Sequence, residues 1–99
     1  MNGGNETSVG ESSVQVEPMN NLSLLKNAFV EAVGVSPESD FNALVYGSTV
    51  GWDSVAHMAL VAAIEEAFGI MLPTDDVIDM SSFLKSREIV AKHGVSLDA

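Results

Sequence analysis

Residues 53–69 read DSVAHMALVAAIEEAFG, and this stretch decides the fold. Between Asp53 and Gly69 there is neither glycine nor proline, so nothing interrupts a helix of about four turns. Asp53 and Ser54 offer short polar side chains for the first free N–H groups, and Gly69 suits the left-handed turn that ends a helix. On a wheel of ~100° per residue with Ser54 at zero, Glu65 and Glu66 fall at roughly 20° and 120° and centre the wet side near roughly 70°. Val55, Met58 and Ala62 fall at about 100°, 40° and 80°, on that same side. Ala56, Leu60, Ala63, Ile64 and Ala67 occupy the opposite arc. A helix apolar nearly all round is either enclosed on every side or half-buried with a docking stripe. The second reading makes Val55, Met58 and Ala62 a shallow patch flanked by carboxylates.

Outward from this helix, Leu22, Leu25, Ala28, Phe29, Ala32 and Val33 recur at three- and four-residue steps, which predicts a first helix over 21–33. Asn20 or Asn21 suits its start and Gly34 its stop. Ser36-Pro37 then breaks the chain, and a long loop runs to residue 53. Its Phe41, Leu44, Val45, Tyr46 and Trp52 predict that it packs down, with a short helical turn near 40–46. Past Gly69, Leu72-Pro73 leads to an acidic segment, 74–79, read as a short helix. Ser81 or Ser82 caps a last helix to about His93, closed by Gly94. Period-two alternation is absent, so the fold class is all-α: a small four-helix bundle of three longer helices and one short one, with a long loop between the first and second. Phe29, Phe41, Phe68 and Phe83 are expected in its core, and Met58, Met71 and Met80 as core or contact fillers. The helical domain is drawn at 19–95, with a disordered tail at 1–18, where Gly, Ser, Asn and Glu leave little to bury, and a C-terminal tail at 96–99.

The chain has 99 residues, 4 Lys+Arg against 14 Asp+Glu, and a formal net charge of −10. That size excludes a two-domain enzyme. The charge repels nucleic acid and anionic lipid, which are bound through Lys and Arg, and points to basic protein surfaces as partners. With 0 Cys there is no disulfide, thiolate metal site or intrinsic thiol nucleophile. No apolar run approaches the ~20 residues of a membrane span. A basic-then-apolar leader is also missing, so a cytoplasmic, monomeric protein is expected.

Ser54 lies in the first turn of the central helix. A phosphate attached there would meet the positive end of the helix dipole and unpaired backbone N–H groups. The plain alternative is a serine that only caps the helix.

The run from Gly51 to Phe83 resembles the acyl carrier protein family. Asp53-Ser54 followed by an aliphatic residue is similar to the family's Asp-Ser-Leu signature. Residues 64–70, IEEAFGI, resemble its Leu-Glu-Glu-x-Phe segment, and Leu72-Pro73 before acidic residues resembles the start of its third helix. The resemblance covers 20–93, most clearly 51–83. It implies a non-catalytic carrier whose Ser54 accepts 4′-phosphopantetheine from coenzyme A through a phosphopantetheinyl transferase, in a magnesium-dependent step. Acyl groups are then held as thioesters on the arm's thiol, so the chain needs no cysteine of its own. Asp53 flanks the attachment, and His57, more often a helix-packing residue at such a position, is a candidate phosphate contact. Val55, Met58, Ala62, Glu65, Glu66, Asp75 and Asp76 form the expected docking face for acyl-loading and acyl-processing enzymes.

The sequence also departs from the family. Val55 stands where Leu is usual, and Ala56 and Ala59 where fatty-acid-type carriers often have acids. Trp52 and His57 look more like discrete carriers of specialised routes, polyketide-like, aminoacyl or cell-surface polysaccharide. Asp53, Ser54 and His57 do not make a hydrolase: Gly51 lies three before the serine and Ala56 two after it, so no nucleophile elbow forms. Asp75, Asp76 and Asp79 lack the calcium-loop pattern and read as a solvated face, with no metal site. An acidic helical adaptor that uses the same face without a prosthetic group is the competing reading.

Overall fold

The structure, a computed structural model, describes residues 20–97; the tail assigned to 1–18 lies outside the described residues. Four helices follow in order: α1 (Asn21–Val33), α2 (Ser54–Phe68), α3 (Thr74–Asp79) and α4 (Phe83–Lys92), with one 3₁₀ turn at Phe41–Ala43 in the long loop. Local chemistry sets their ends. Asn20 Oδ1 accepts the Ser23 N–H at 2.8 Å, and Gly34 closes α1 at φ 86° with its N–H on the Val30 carbonyl. Gly69 closes α2 at φ 65°, and Ser82 Oγ accepts the Lys85 N–H at 3.0 Å to open α4. No strand forms among the described residues. One isolated antiparallel bridge pairs Val45 with Ser82, sewing the long loop to the α3–α4 junction through Tyr46 N–H to Ser81 O and Phe83 N–H to Leu44 O.

The core lies between α1, α2 and α4, where Leu25, Phe29, Leu60, Ile64, Met80 and Val90 are buried. The long loop packs down as expected through Phe41, Leu44 and Trp52, whereas Val45 and Tyr46 stay exposed. Phe29 meets Trp52 and Phe83 edge-on at centroid distances of 5.2 and 5.1 Å, and Phe41 tilts onto Phe83 at 5.2 Å. Phe68 is only half-buried, and Ala67, placed by the wheel on the inner arc, is exposed at its edge. Of the methionines expected to fill gaps, Met80 is buried and Met71 and Met58 are exposed. The packed chain also runs past residue 95: Leu97 is buried, and the Asn21 side-chain amide donates to the Ser96 carbonyl at 2.8 Å. Ser96 and Leu97 therefore belong to the domain rather than to a tail.

Asp76 departs from its expected place on a solvated docking face. It turns inward, 3% exposed, accepting from Lys92 Nζ at 2.5 Å and from His93 Nε2 at 2.8 Å. A helix as short as α3 has little apolar surface to hold it, and this carboxylate pins it to the end of α4. The Lys92 and His93 hydrogen bonds, the former first, hold its carboxyl below the ordinary value of 3.8 against the opposing effect of burial.

Two predictions follow from these contacts. The loop crosses the end of α1 at Gly51, whose φ is +89° and where a Cβ would sit 2.6 Å from the Val33 carbonyl oxygen. Gly34 shares the positive φ but faces open space. In urea unfolding, Gly34→Ala should lose about 1–2 kcal/mol, the left-handed backbone penalty alone, and Gly51→Ala about 1–3 kcal/mol more from the clash. For Asp76, a folded value below the unfolded one means its stabilisation is present above the unfolded value and lost as pH falls through the folded one. Asp76→Asn should therefore lower the melting temperature near neutral pH and flatten its decline toward acid; equal acid slopes for the two proteins would contradict the assignment.

Candidate functional site

The N-terminus of α2 is built by the loop that precedes it. Val45 N–H donates to Thr49 Oγ1 at 2.9 Å, Thr49 N–H to Val45 O at 2.9 Å, Gly47 N–H to Trp52 O at 3.1 Å and Trp52 N–H to Thr49 O at 3.1 Å. This knot delivers Trp52 into the core at 1% exposure and leaves Val50 on the surface. Asp53 follows as the N-cap, its Oδ1 accepting the Ala56 N–H at 2.9 Å and its carbonyl the His57 N–H at 2.8 Å. Ser54 is thus the first helical residue and not the cap, and its side chain is exposed. A helix leaves its first N–H groups without intrahelical partners. Asp53 takes that of Ala56, so those of Ser54 and Val55 remain at the positive end of the dipole.

His57, one turn on, is committed elsewhere. The Trp52 indole Nε1–H donates to His57 Nδ1 at 3.0 Å, which puts the ring proton on Nε2, and Nε2–H donates to the Val77 carbonyl at 2.8 Å. Both nitrogens are occupied within the fold. The expected phosphate contact at His57 is therefore corrected: the residue straps loop, α2 and α3 together. A buried indole N–H requires an acceptor, and that requirement was the sequence signal available for the pair.

The exposed face of α2 matches the wheel. Val55 is 78% and Met58 58% exposed, and Ala62 and Glu66 also face solvent. Asp75 is exposed at the first turn of α3. Glu65 is half-buried, and its Oε2 accepts the Leu72 N–H at 2.9 Å, closing the α2–α3 loop. Asp76 is withdrawn by its pairing with Lys92 and His93. The structure adds Ile78, 71% exposed, which the sequence reading passed over. It borders a groove lined by Tyr46, His57, Val77, Met80 and Ser81.

Comparison with protein families matches residues 23–84 to a family described as the phosphopantetheine attachment site. The chain belongs to this family. Members attach 4′-phosphopantetheine covalently, are generally non-catalytic carrier domains, and interact with partner enzymes such as phosphopantetheinyl transferases. Searches of curated proteins and of solved structures returned no match. The matched segment spans the whole α2 N-terminus, where an exposed hydroxyl beside two N–H groups that have no partner among the described residues suits a phosphodiester. Among the described residues no group of three or more His, Asp or Glu is placed to hold a metal ion, and no helix is long and apolar enough to cross a membrane.

The capping geometry separates two neighbouring residues by their effect on stability. Asp53→Ala should lose about 0.5–2 kcal/mol in urea unfolding, the usual penalty for a lost cap. Ser54→Ala should stay within about 0.5 kcal/mol, as for a surface change away from such features. The reverse order would make Ser54 the cap.

Proposed function

We propose that Ser54 is the attachment residue and that the protein is a non-catalytic acyl carrier, presenting thioester-bound intermediates to partner enzymes. The observation that carries this reading is the division of roles at the start of α2: Asp53 caps the helix, leaving the Ser54 hydroxyl at the surface inside the matched segment. In the loading reaction Ser54 Oγ forms a bond to the pantetheine-side phosphorus of coenzyme A, and the phosphoanhydride bond breaks. Adenosine 3′,5′-bisphosphate leaves, and the hydroxyl proton passes to a base on the transferase. The free N–H groups of Ser54 and Val55 and the positive end of α2 favour the negative phosphodiester that results. When bound, the arm supplies the thiol that the cysteine-free chain lacks, and its reach raises the local concentration of cargo at a docked enzyme.

Val55, Met58 and Ala62, rimmed by Glu66 and Asp75, form the face offered to basic partners, with steering by charge and rapid release. Ala56 and Ala59 leave α2 less acidic than in fatty-acid-type carriers, which supports a specialised biosynthetic route over housekeeping fatty-acid synthesis.

Incubation with coenzyme A, magnesium and a broad-specificity phosphopantetheinyl transferase should add the mass of one phosphopantetheinyl group, and Ser54→Ala should add none. No adduct on the wild type would favour the adaptor reading, and an adduct surviving in Ser54→Ala would move the site.

A further inference from the structure

The strap at His57 bears on what the carrier can hold, given the attachment at Ser54 proposed above. One way from Ser54 toward the core follows the seam between α2 and α3, past Tyr46, His57 and Val77. That seam is closed by hydrogen bonds. Trp52 Nε1–H to His57 Nδ1 at 3.0 Å and His57 Nε2–H to Val77 O at 2.8 Å form a continuous chain from the buried loop through α2 to α3. Behind it lies the apolar core: Trp52, Leu60, Ile64 and Met80 are 0–1% exposed, and the indole packs edge-on against Phe29. Tyr46 adds a ring 5.2 Å from the imidazole centroid on the outer side.

Parting α2 from α3 would strip the indole N–H and the imidazole N–H of their acceptors as apolar cargo replaced them, leaving buried polar groups that a hydrocarbon cannot satisfy. The groove outside the strap offers about 210 Å³, below the ~300–1,000 Å³ of clefts that enclose a drug-sized ligand. A second groove, lined by loop residues from Tyr46 to Asp53 and by Ser54, offers about 570 Å³ on the outer side of the same loop. Cargo can rest in either without entering the bundle.

We infer that the Trp52–His57–Val77 strap keeps cargo outside the bundle, so that this carrier is built for short or polar acyl groups rather than for long alkyl chains that need shielding. His57 is on this account a positioning residue that sets cargo class without touching the phosphate.

The test uses the full chain loaded at Ser54 from acetyl-, hexanoyl- and dodecanoyl-coenzyme A by a broad-specificity transferase, with loading verified by intact mass. Cleavage of each thioester by hydroxylamine, which attacks the carbonyl and releases the arm's thiol, reports solvent access. The three rates should agree within about twofold with those of the matching free acyl-pantetheines, and the Trp52 indole N–H resonance should not move with chain length. In His57→Ala the dodecanoyl thioester should become at least threefold slower than the acetyl one; mere loss of fold would not slow it. A tenfold protection of the dodecanoyl group in the wild type, or equal rates in a His57→Ala protein that circular dichroism shows to be folded, would overturn the inference while leaving Ser54 as the attachment site; should the alanine variant unfold, His57→Phe, which also removes both hydrogen bonds, is read in its place. Absence of any adduct would overturn the carrier reading itself, and this inference with it.

Discussion

An indole buried in a domain this small imposes a condition on everything around it, because its N–H must find an acceptor away from water. Trp52 meets that condition with His57 Nδ1, and the consequence travels outward. The accepting nitrogen fixes the ring proton on Nε2, which then donates to Val77 and seats α3 against α2. Drawing Trp52 inward also pulls residue 51 across the end of α1, where any Cβ would collide with the Val33 carbonyl, so the position requires glycine. Ser54 falls between the anchored indole and the anchored imidazole. Its place is therefore set by two neighbours while its own hydroxyl stays at the surface.

Charge is distributed less simply than a net −10 suggests. Lys92 is spent on Asp76 inside the domain, and Lys26 lies over the Phe41 ring at 5.4 Å. Lys85 sits 3.6 Å from Glu88 on the surface, a contact worth little. On the other side of the ledger, Asp76 is internal and Glu65 holds the α2–α3 loop, so neither is a free carboxylate on the docking side. The exposed carboxylates left to rim α2, with neither a cap nor a loop to hold, are Glu66 and Asp75. On the proposed docking face, recognition would then lean correspondingly more on Val55 and Met58, which are 78% and 58% exposed.

Helix limits were legible in the sequence because the interactions that set them are local. Asn20, Gly34, Asp53, Gly69 and Ser82 act within four residues of themselves, and the structure places them as expected. The wheel likewise separated Val55, Met58 and Ala62 from Leu60 and Ile64, since one turn of helix suffices to sort them. What could not be read were contacts whose partners lie far along the chain. Nothing near Asp76 announces Lys92 or His93, sixteen and seventeen residues away, and nothing near His57 announces the Val77 carbonyl twenty residues on. Asp76 therefore reads from the pattern as a solvated carboxylate, and nothing in the pattern chooses for His57 between helix packing and a phosphate contact; the distant partners decide both. Glu65 is the intermediate case, close in sequence to Leu72 yet turned to its N–H by a loop whose path the pattern does not specify.

The split between Asp53 and Ser54 has a consequence for how a carrier works. Had Ser54 been the cap, its oxygen would be accepting a backbone N–H, and forming a phosphodiester there would compete with the end of the helix. Each loading or removal of the arm would then loosen the surface that partners read. With Asp53 holding the Ala56 N–H, modification of the next residue leaves the cap, the Trp52 anchor and the α2 face unchanged. With the arm on Ser54, as proposed, loading would in this way be uncoupled from folding, and the domain would offer the transferase and later partners the same helix. Discrimination between loaded and unloaded forms would then fall to the arm and its cargo, which stay in view if the strap keeps cargo outside the bundle as inferred.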